Sequence, residues 1–432
     1  MKPLVRSSLA LLFLAALALP ARAQTPNTAT VRVVVLDQTG AAVKDAKVTI
    51  INGATGASRE AISGADGSAT TSGLPVAGLY TVRVAKQGFT ADDLTNLTLV
   101  AGESATVRVK LVASGGKSEV TVYGTSQGVH SDSQIGRRLD SKTIDETPIL
   151  GRKITTLPLL NSAFRQGKGT GDLFVNATYF ITGAGSRRTT TFMLDGATDD
   201  EGWGRQTALI TVPVGAVQEV AVLTNAFSAE FGWTAGPAMN IVTKSGTNTF
   251  HGEGVFMGRP GDGQPRSFST KGFCPPSIPS CVVPTGLTAI SPVDIPDSLS
   301  QYSASAGGRL VQDKTFFFGS FDYTRQNRVT ALSPSLPAFV LEDGSLTYTG
   351  EYRQKLFNAR VDHKLTQNQA LMFRFNLDQM FDTNPNDAVI NTTAPSAARR
   401  YSRRGWSTQV NHTSILSPVS YTHLTLPTIL RV

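Results

Sequence analysis

Apolar and polar residues alternate with a period of two over long stretches of the second half of the chain. In 371–378 the odd positions Leu371, Phe373, Phe375 and Leu377 are apolar, and Arg374, Asn376 and Asp378 are polar. Phe357, Ala359 and Val361 alternate with Asn358, Arg360, Asp362 and Lys364, and Phe317, Gly319, Phe321 and Tyr323 alternate with Phe318, Ser320, Asp322 and Thr324. This period sends successive side chains to opposite faces of a strand. It predicts strands at 249–257, 301–310, 315–325, 352–364, 369–380 and 404–415. The links between them run long, short, long, short, long, the short ones being 311–314 and 365–368. Loops sorted by length to one end, on two-faced strands, fit antiparallel strands that cross a membrane as a β-barrel. A soluble sandwich has no reason to sort them.

The first half is patterned differently. Between residues 28 and 112, short β-prone runs at 29–36, 46–51, 68–71, 79–85, 97–100 and 104–111 are separated by turn signals such as Asp37-Gln38-Thr39-Gly40, Asp66-Gly67 and Gln87-Gly88. Strands of this length and spacing predict a β-sandwich. Ala113-Ser114-Gly115-Gly116-Lys117 has the composition of a flexible linker, and a β-prone segment, 118–124, follows it. From 133 to 247 the runs shorten again, with Met193-Leu194, 217–223 and 239–243 bounded by Gly, Asp or Pro. These suggest a small α+β sheet, although a generic α/β core accounts for any one run alone. Gly196, Gly232, Gly236 and Gly246 fall at the breaks, where the chain needs positive φ or close backbone approach.

Composition narrows the setting. Residues 1–23 have a basic start, an apolar stretch from Leu9 to Leu19 and a small-residue site at Ala21-Arg22-Ala23, the pattern of a cleaved secretory signal. Loss of its three basic residues, Lys2, Arg6 and Arg22, takes the formal charge from +8 to +5. That is too mild, with no basic run among aromatics, to argue for nucleic acid. No later stretch is apolar and long enough for a spanning helix. The two cysteines, Cys274 and Cys281, bracket a Pro-rich stretch in the first long loop. In an exported chain they predict a loop disulfide, whereas a zinc site would lack two of its ligands.

The motifs LDG, QEV, SAEFG, NIVTKSG and FHG accumulate between residues 192 and 252. Jointly they resemble the end of the plug domain of TonB-dependent outer-membrane receptors, running into the first barrel strand. The matching positions include Asp195, Gly196, Glu219, Glu230, Gly232, Lys244 and Gly246. Asp37, Gly40, Ala46, Val48, Gly56, Asp66-Gly67, Leu74-Pro75, Gly78, Tyr80, Val82 and Gly88-Phe89 resemble the carboxypeptidase-regulatory-like domain, a transthyretin-like sandwich. Such a module ahead of a plug is similar to the Oar-like branch of these receptors, over nearly all of 28–417. Trp233 and Pro237 depart from the pattern, standing where a polar residue and Gly are expected.

The resemblance implies a mainly β chain. Residues 1–23 are the signal, 28–112 the sandwich, 113–132 a linker, 133–247 the plug and 248–417 the start of a barrel of about six strands. It implies partnership with the TonB complex of the inner membrane, contact with outer-membrane lipid, and a scarce external solute, oligosaccharide or peptide as ligand. A segment before the plug is the TonB box in such receptors, which makes Glu119, Val120, Thr121, Val122 and Tyr123 candidates; a first plug strand or plain linker fits the residues equally. The loop Asp199, Asp200, Glu201, Trp203 and Arg205 is the candidate ligand-facing plug loop, and Arg187-Arg188 either faces wall carboxylates or forms an exposed turn. The role implied is uptake, with a surface adhesin or signalling receptor, including carbohydrate binding by the sandwich, as the alternative.

Covalent chemistry has no foothold in the sequence. None of His130, His251, His363, His412 and His423 has Glu three or four residues away, as a zinc peptidase requires. Lys244-Ser245 lacks the glycines of a phosphate loop. No metal or cofactor is expected. Six strands cannot close around a plug, since plugged transporters use about 22. The expectation is therefore of further barrel beyond residue 432, with 418–432, which lacks clean alternation, foreign to the gene.

Overall fold

The computed structural model describes residues 27–90, 93–113, 119–123, 135–147, 152, 154, 157, 164–166, 180–182, 190–200, 208, 210–225, 236–261, 267–271, 292–293, 298–331, 347–383, 400–417 and 420–427. The expected signal peptide, Arg187-Arg188, Glu201, Trp203, Arg205, Glu230, Gly232, Trp233 and both cysteines lie outside these residues.

The N-terminal unit comprises β1 (Thr28–Leu36), β2 (Lys47–Asn52), β3 (Ser58–Ile62), β4 (Ser68–Pro75), β5 (Tyr80–Ala85), β6 (Phe89–Thr90), β7 (Asp93–Leu97), β8 (Ser104–Lys110), β9 (Val112–Ala113) and β10 (Glu119–Tyr123). Two four-stranded sheets, ordered β10-β8-β1-β4 and β3-β2-β5-β7, face each other, and β6 pairs with β9. Val31, Val33 and Val35 of β1 and Val107 and Val109 of β8 alternate into a shared core with Val48, Ile50, Val82 and Val84. Tyr80 is buried in it, and its hydroxyl donates to the Pro75 carbonyl at 2.6 Å, which satisfies the one polar atom of the ring.

Two features depart from the pattern read in the sequence. Strand β3 was not anticipated, and the run expected at 97–100 is displaced to β7, Asp93–Leu97. Both are outermost strands of their sheet, with one buried residue each, Ala61 and Leu97, so they carry no alternation to read. The 118–124 segment supplies β10, which runs antiparallel to β8 with Glu119 opposite Lys110 and Tyr123 opposite Thr106.

A second sheet follows, with order β11-β16-β17-β14-β15. Its parts are β11 (Ile135–Asp140), the helix α1 (Ser141–Glu146), β14 (Thr191–Leu194), β15 (Ala197–Thr198), β16 (Val217–Asn225) and β17 (Ala238–Thr243); β12 (Phe164–Gln166) and β13 (Phe180–Thr182) pair separately. The Asp140 carboxylate accepts the Thr143 amide at 2.9 Å and caps α1. Leu139, Ile144, Phe192, Leu194, Val220, Val222, Met239 and Ile241 form the core. All six residues of β17 are buried, because both of its faces are covered. One of those faces meets the sandwich, where Val242 joins the sandwich core.

The remainder is a single antiparallel sheet, β18-β21-β22-β23-β24-β25-β26. Its strands are β18 (His251–Arg259), β21 (Ser298–Val311), β22 (Thr315–Ala331), β23 (Thr347–Lys364), β24 (Gln369–Thr383), β25 (Arg400–Ser417) and β26 (Ser420–Pro427); β19 (Ser267–Lys271) and β20 (Pro292–Val293) pair within the first long link. Strands β22 and β23 extend beyond their expected ends on the long-link side, pairing as far as Ala331 with Thr347. Strand β26, in the segment expected to be foreign, continues the sheet by pairing with β25.

The two faces of this sheet are inverted relative to a soluble protein. Asn358, Arg374, Asn376, Asp378, Asp382, Arg403, Ser407 and Gln409 are buried on one face. Phe321, Phe357, Phe373 and Phe381 stand on the other, with Phe373 44% exposed. Aromatics also line up across strands: Phe256 lies 5.0 Å from Tyr302, and Tyr302 6.4 Å from Tyr323. Large exposed aromatics on strand after strand opposite a charged buried face suit lipid outside and a polar lumen inside.

Candidate functional site

The second sheet packs against the charged face of the third through one residue above all. Asp195 and Gly196 join β14 to β15 in a two-residue turn, with φ of 48° and 76°, and Leu194 pairs with Ala197 across it. Both central residues at positive φ is the condition of a type I′ hairpin, which Asp-Gly meets best. The turn buries Asp195 completely against the barrel wall. Its carboxylate accepts the Thr243 amide at 2.8 Å and the Thr243 hydroxyl at 2.7 Å, so β14 and β17 are tied together beneath it.

From the wall, Arg374 of β24 forms an ion pair with Asp195, and Arg360 of β23 stands 3.6 Å away. Arg360 also donates to the Thr243 carbonyl at 2.7 Å and, through two nitrogens at 2.9 Å each, to Asp362. Asp362 in turn accepts the Ser245 hydroxyl at 2.7 Å, and Gln409 of β25 donates to the Asp195 carbonyl at 2.9 Å. Burial pushes the Asp195 carboxyl upward, but Arg374, Arg360 and the Thr243 hydrogen bonds outweigh it and hold the group below the usual carboxylate range.

A second anchor lies nearby. Asp378 of β24 accepts the Thr211 amide at 3.1 Å, Arg403 at 2.8 Å and Gln354 at 3.0 Å. Gly246, just after β17, fits between wall strands: a methyl group there would stand 2.2 Å from the Phe317 carbonyl and 2.6 Å from the Gly308 carbonyl. Its φ is not positive, so close approach alone selects glycine at this position.

The other residues singled out in the sequence are placed as follows. Glu219 is buried where the second sheet meets the sandwich, and accepts the Ala101 amide at 3.2 Å. Lys244 donates its backbone amide to Ala216 at 2.7 Å. Asp199 is buried and accepts the Ile210 amide at 3.1 Å. Asp200 accepts the Thr191 hydroxyl and the Phe192 amide at 2.7 Å each. Both carboxylates thus accept hydrogen bonds from groups close to them in the chain. Tyr80 is a core residue.

The wall residues Arg360, Arg374, Arg403, Asp378 and Gln409 and the inner residues Thr211 and Thr243 were not singled out in advance. Alternation assigned Arg360 and Arg374 to the polar face of their strands, but nothing local to them pointed to Asp195. The sandwich also grips the short-link end of the sheet. Ala54 accepts the Asn248 amide at 2.8 Å, Lys364 donates to the Thr55 carbonyl at 3.0 Å, and Arg59 donates to Asn368 at 3.3 Å.

The chain is similar to several known proteins. Residues 30–112 match the carboxypeptidase regulatory-like domain, where the sequence placed that module. The chain is 28% identical over 147 residues to the TonB-dependent transporter Oar of Myxococcus xanthus, a match covering 33% of this chain and 12% of Oar. Among solved structures it is similar to the outer membrane transporter YddB from Escherichia coli, with 12% identity and a TM-score of 0.48, over 65% of this chain and 37% of that one. It is also similar to the ferric enterobactin receptor PfeA of Pseudomonas aeruginosa, with 12% identity and a TM-score of 0.45, over 65% of this chain and 39% of that one. The chain therefore spans well under half the length of these relatives.

Proposed function

We propose that the chain is a TonB-dependent outer-membrane receptor that binds a scarce extracellular solute and imports it with energy transmitted by TonB. The observation that carries this reading is the inverted wall, aromatic outside and charged inside, with a small sheet locked to its inner face through Asp195. In this reading 133–247 is the plug, and the face carrying Phe321, Phe357 and Phe373 meets lipid. The long links point outward, among them the one with Cys274 and Cys281 as a disulfide. The loop around Glu201, Trp203 and Arg205 meets an incoming solute, oligosaccharide or peptide.

The sandwich lies on the periplasmic side, against the short links. Residues 119–123 are the TonB contact, engaged by strand addition through main-chain hydrogen bonds. Energised pulling then breaks the plug's ties to the wall. No bond in the solute is made or broken, so the reading is of a transporter and not an enzyme.

Growth of strains with and without the gene, compared across a panel of nutrients, identifies the solute. Labelled solute then tests the mechanism. Val122→Pro removes an N–H donor from the middle of the segment and should abolish energised uptake while leaving surface binding within about twofold, whereas Val122→Ala keeps the donor and should be mild. Uptake that persists in a strain lacking TonB would refute the reading. Surface binding without any uptake would favour an adhesin or signalling receptor on the same scaffold.

A further inference from the structure

We propose that the junction of the sandwich, the second sheet and the wall is a binding site for a small organic anion with an apolar body, and that this ligand bridges the three units. The site goes beyond the uptake reading, since it involves neither the candidate ligand-facing loop nor residues 119–123. Its existence does not depend on that reading. Under it, the site stands at the short-link end, where a solute leaves.

A cavity of about 470 Å³ opens where β1 and β4 of the sandwich, the end of β17 and the short-link ends of β22, β23, β24 and β25 come together. Close-packed interiors do not leave voids of this size, and it falls within the range of small-molecule sites. Apolar side chains reach it from all three units: Leu74 and Val76 from the sandwich, Val242 from the second sheet, and Phe316, Leu371 and Met372 from the wall. A ligand that covered them would need a hydrocarbon body. In the sandwich part of the lining, the side-chain oxygens of Asn27 and Thr28 are buried with no partner among the described residues. They leave a place for a hydroxyl on that body.

Charge selects the occupant. Arg59 of β3 reaches across to Asn368 of the wall at 3.3 Å, and Lys364 of β23 reaches back to the Thr55 carbonyl at 3.0 Å, so each cation meets a neutral acceptor. Neither forms an ion pair among the described residues. Lys364 also stands 5.4 Å from the centre of the Phe316 ring, which holds its charge against the apolar wall. Arg360 lines the cavity too, but Asp362 already pairs with it at 2.9 Å. Of the other charged residues in the lining, Lys314 is exposed and Asp313 accepts from Asn248 at 2.7 Å. Arg59, Lys314 and Lys364 against Asp313 alone leave a cationic rim. The rim is also tight, since a methyl group on Gly56, at φ of 66°, would stand 2.5 Å from the Asp313 carboxylate. A carboxylate between Arg59 and Lys364 would replace neutral contacts with charge-assisted ones from both units.

The test uses the full chain in lipid nanodiscs, with empty nanodiscs as the blank, labelled 4-phenylbutyrate as the probe and its neutral amide as the control. Saturable binding of the acid is expected, with the amide weaker by about tenfold. Arg59→Gln with Lys364→Gln should weaken the acid by about tenfold and leave the amide unchanged. Ala370→Trp, which places a ring in the cavity from the wall, should abolish binding of both, and Ala57→Trp should do so from the sandwich. Amide hydrogen exchange then locates the probe, which should slow exchange in 55–59 of the sandwich and in 364–371 of the wall together. Equal binding of acid and amide would overturn the assignment of an anion. Binding that survives both tryptophan variants would place the probe outside the cavity, and protection of one unit alone would rule out a bridge. No saturable binding to the unsubstituted chain would overturn the site itself, and would leave the uptake reading standing.

Discussion

At the scale of single residues, the two buried acids of the second sheet's hairpin region behave in opposite ways. Asp195 is an anion held by Arg374, Arg360 and Thr243, with its carboxyl below the usual range. Its contribution is therefore present above the unfolded value and lost only as pH falls through the lower folded one. Asp195→Ala leaves two wall arginines facing a gap and should cost about 3–5 kcal/mol of docking between the second sheet and the wall. Faster proteolysis of 133–247 in the purified protein, with the wall strands still resistant, would register it. Undiminished resistance would mean that Asp195 is not the anchor.

Asp199 is raised well above the carboxylate range, by burial first, against the opposing Ile210 amide and Arg374. The folded chain keeps this proton after the unfolded chain has released its own, near pH 4, so its contribution weakens as pH rises from there toward the folded value. Asp199→Asn retains an acceptor for the Ile210 amide and removes the titration. The variant should gain stability relative to the natural chain as pH is raised from 4 to 8, read as the difference between their melting temperatures. A difference independent of pH would show that Asp199 stays ionised in the fold.

At the scale of elements, legibility followed burial. Wall strands such as β23 and β24 were readable because one face meets a polar interior and the other does not, so Phe357 and Asn358 differ in kind. Strand β17 is legible as a β-prone run without a face, since all six of its residues are buried. Strands β3 and β7 were missed or displaced because outermost strands with one buried residue leave no period. The anchor was legible only by half. The LDG motif marked Asp195, yet Arg374 lies 179 positions away and Gln409 lies 214 away, and no local pattern links such distances. Gly246 belongs to this scale as well, as the point where the second sheet gives way to the wall. Gly246→Ala should force β21 and β22 apart and prevent recovery of folded protein from the membrane fraction, because the clash is with backbone. Normal yield would show that the chain at Gly246 does not seat between those strands.

At the scale of the whole molecule, the account needs the aromatic face to meet lipid and the sheet locked inside to move. Phe373→Lys on the outer face should destabilise the folded protein in liposomes by about 2–4 kcal/mol, measured by denaturant unfolding, while Phe373→Leu should be nearly silent. Equal effects of the two would place Phe373 away from lipid. In the proposed function the second sheet moves against the wall, and Ser245 reports on this because its hydroxyl is tied to Asp362 of the wall at 2.7 Å. In whole cells carrying Ser245→Cys, with Cys274 and Cys281 changed to Ser, the rate of modification by a periplasmic maleimide can be followed. The account predicts modification several-fold faster in energised cells than in cells lacking TonB or treated with a protonophore. Equal rates in all three would contradict it.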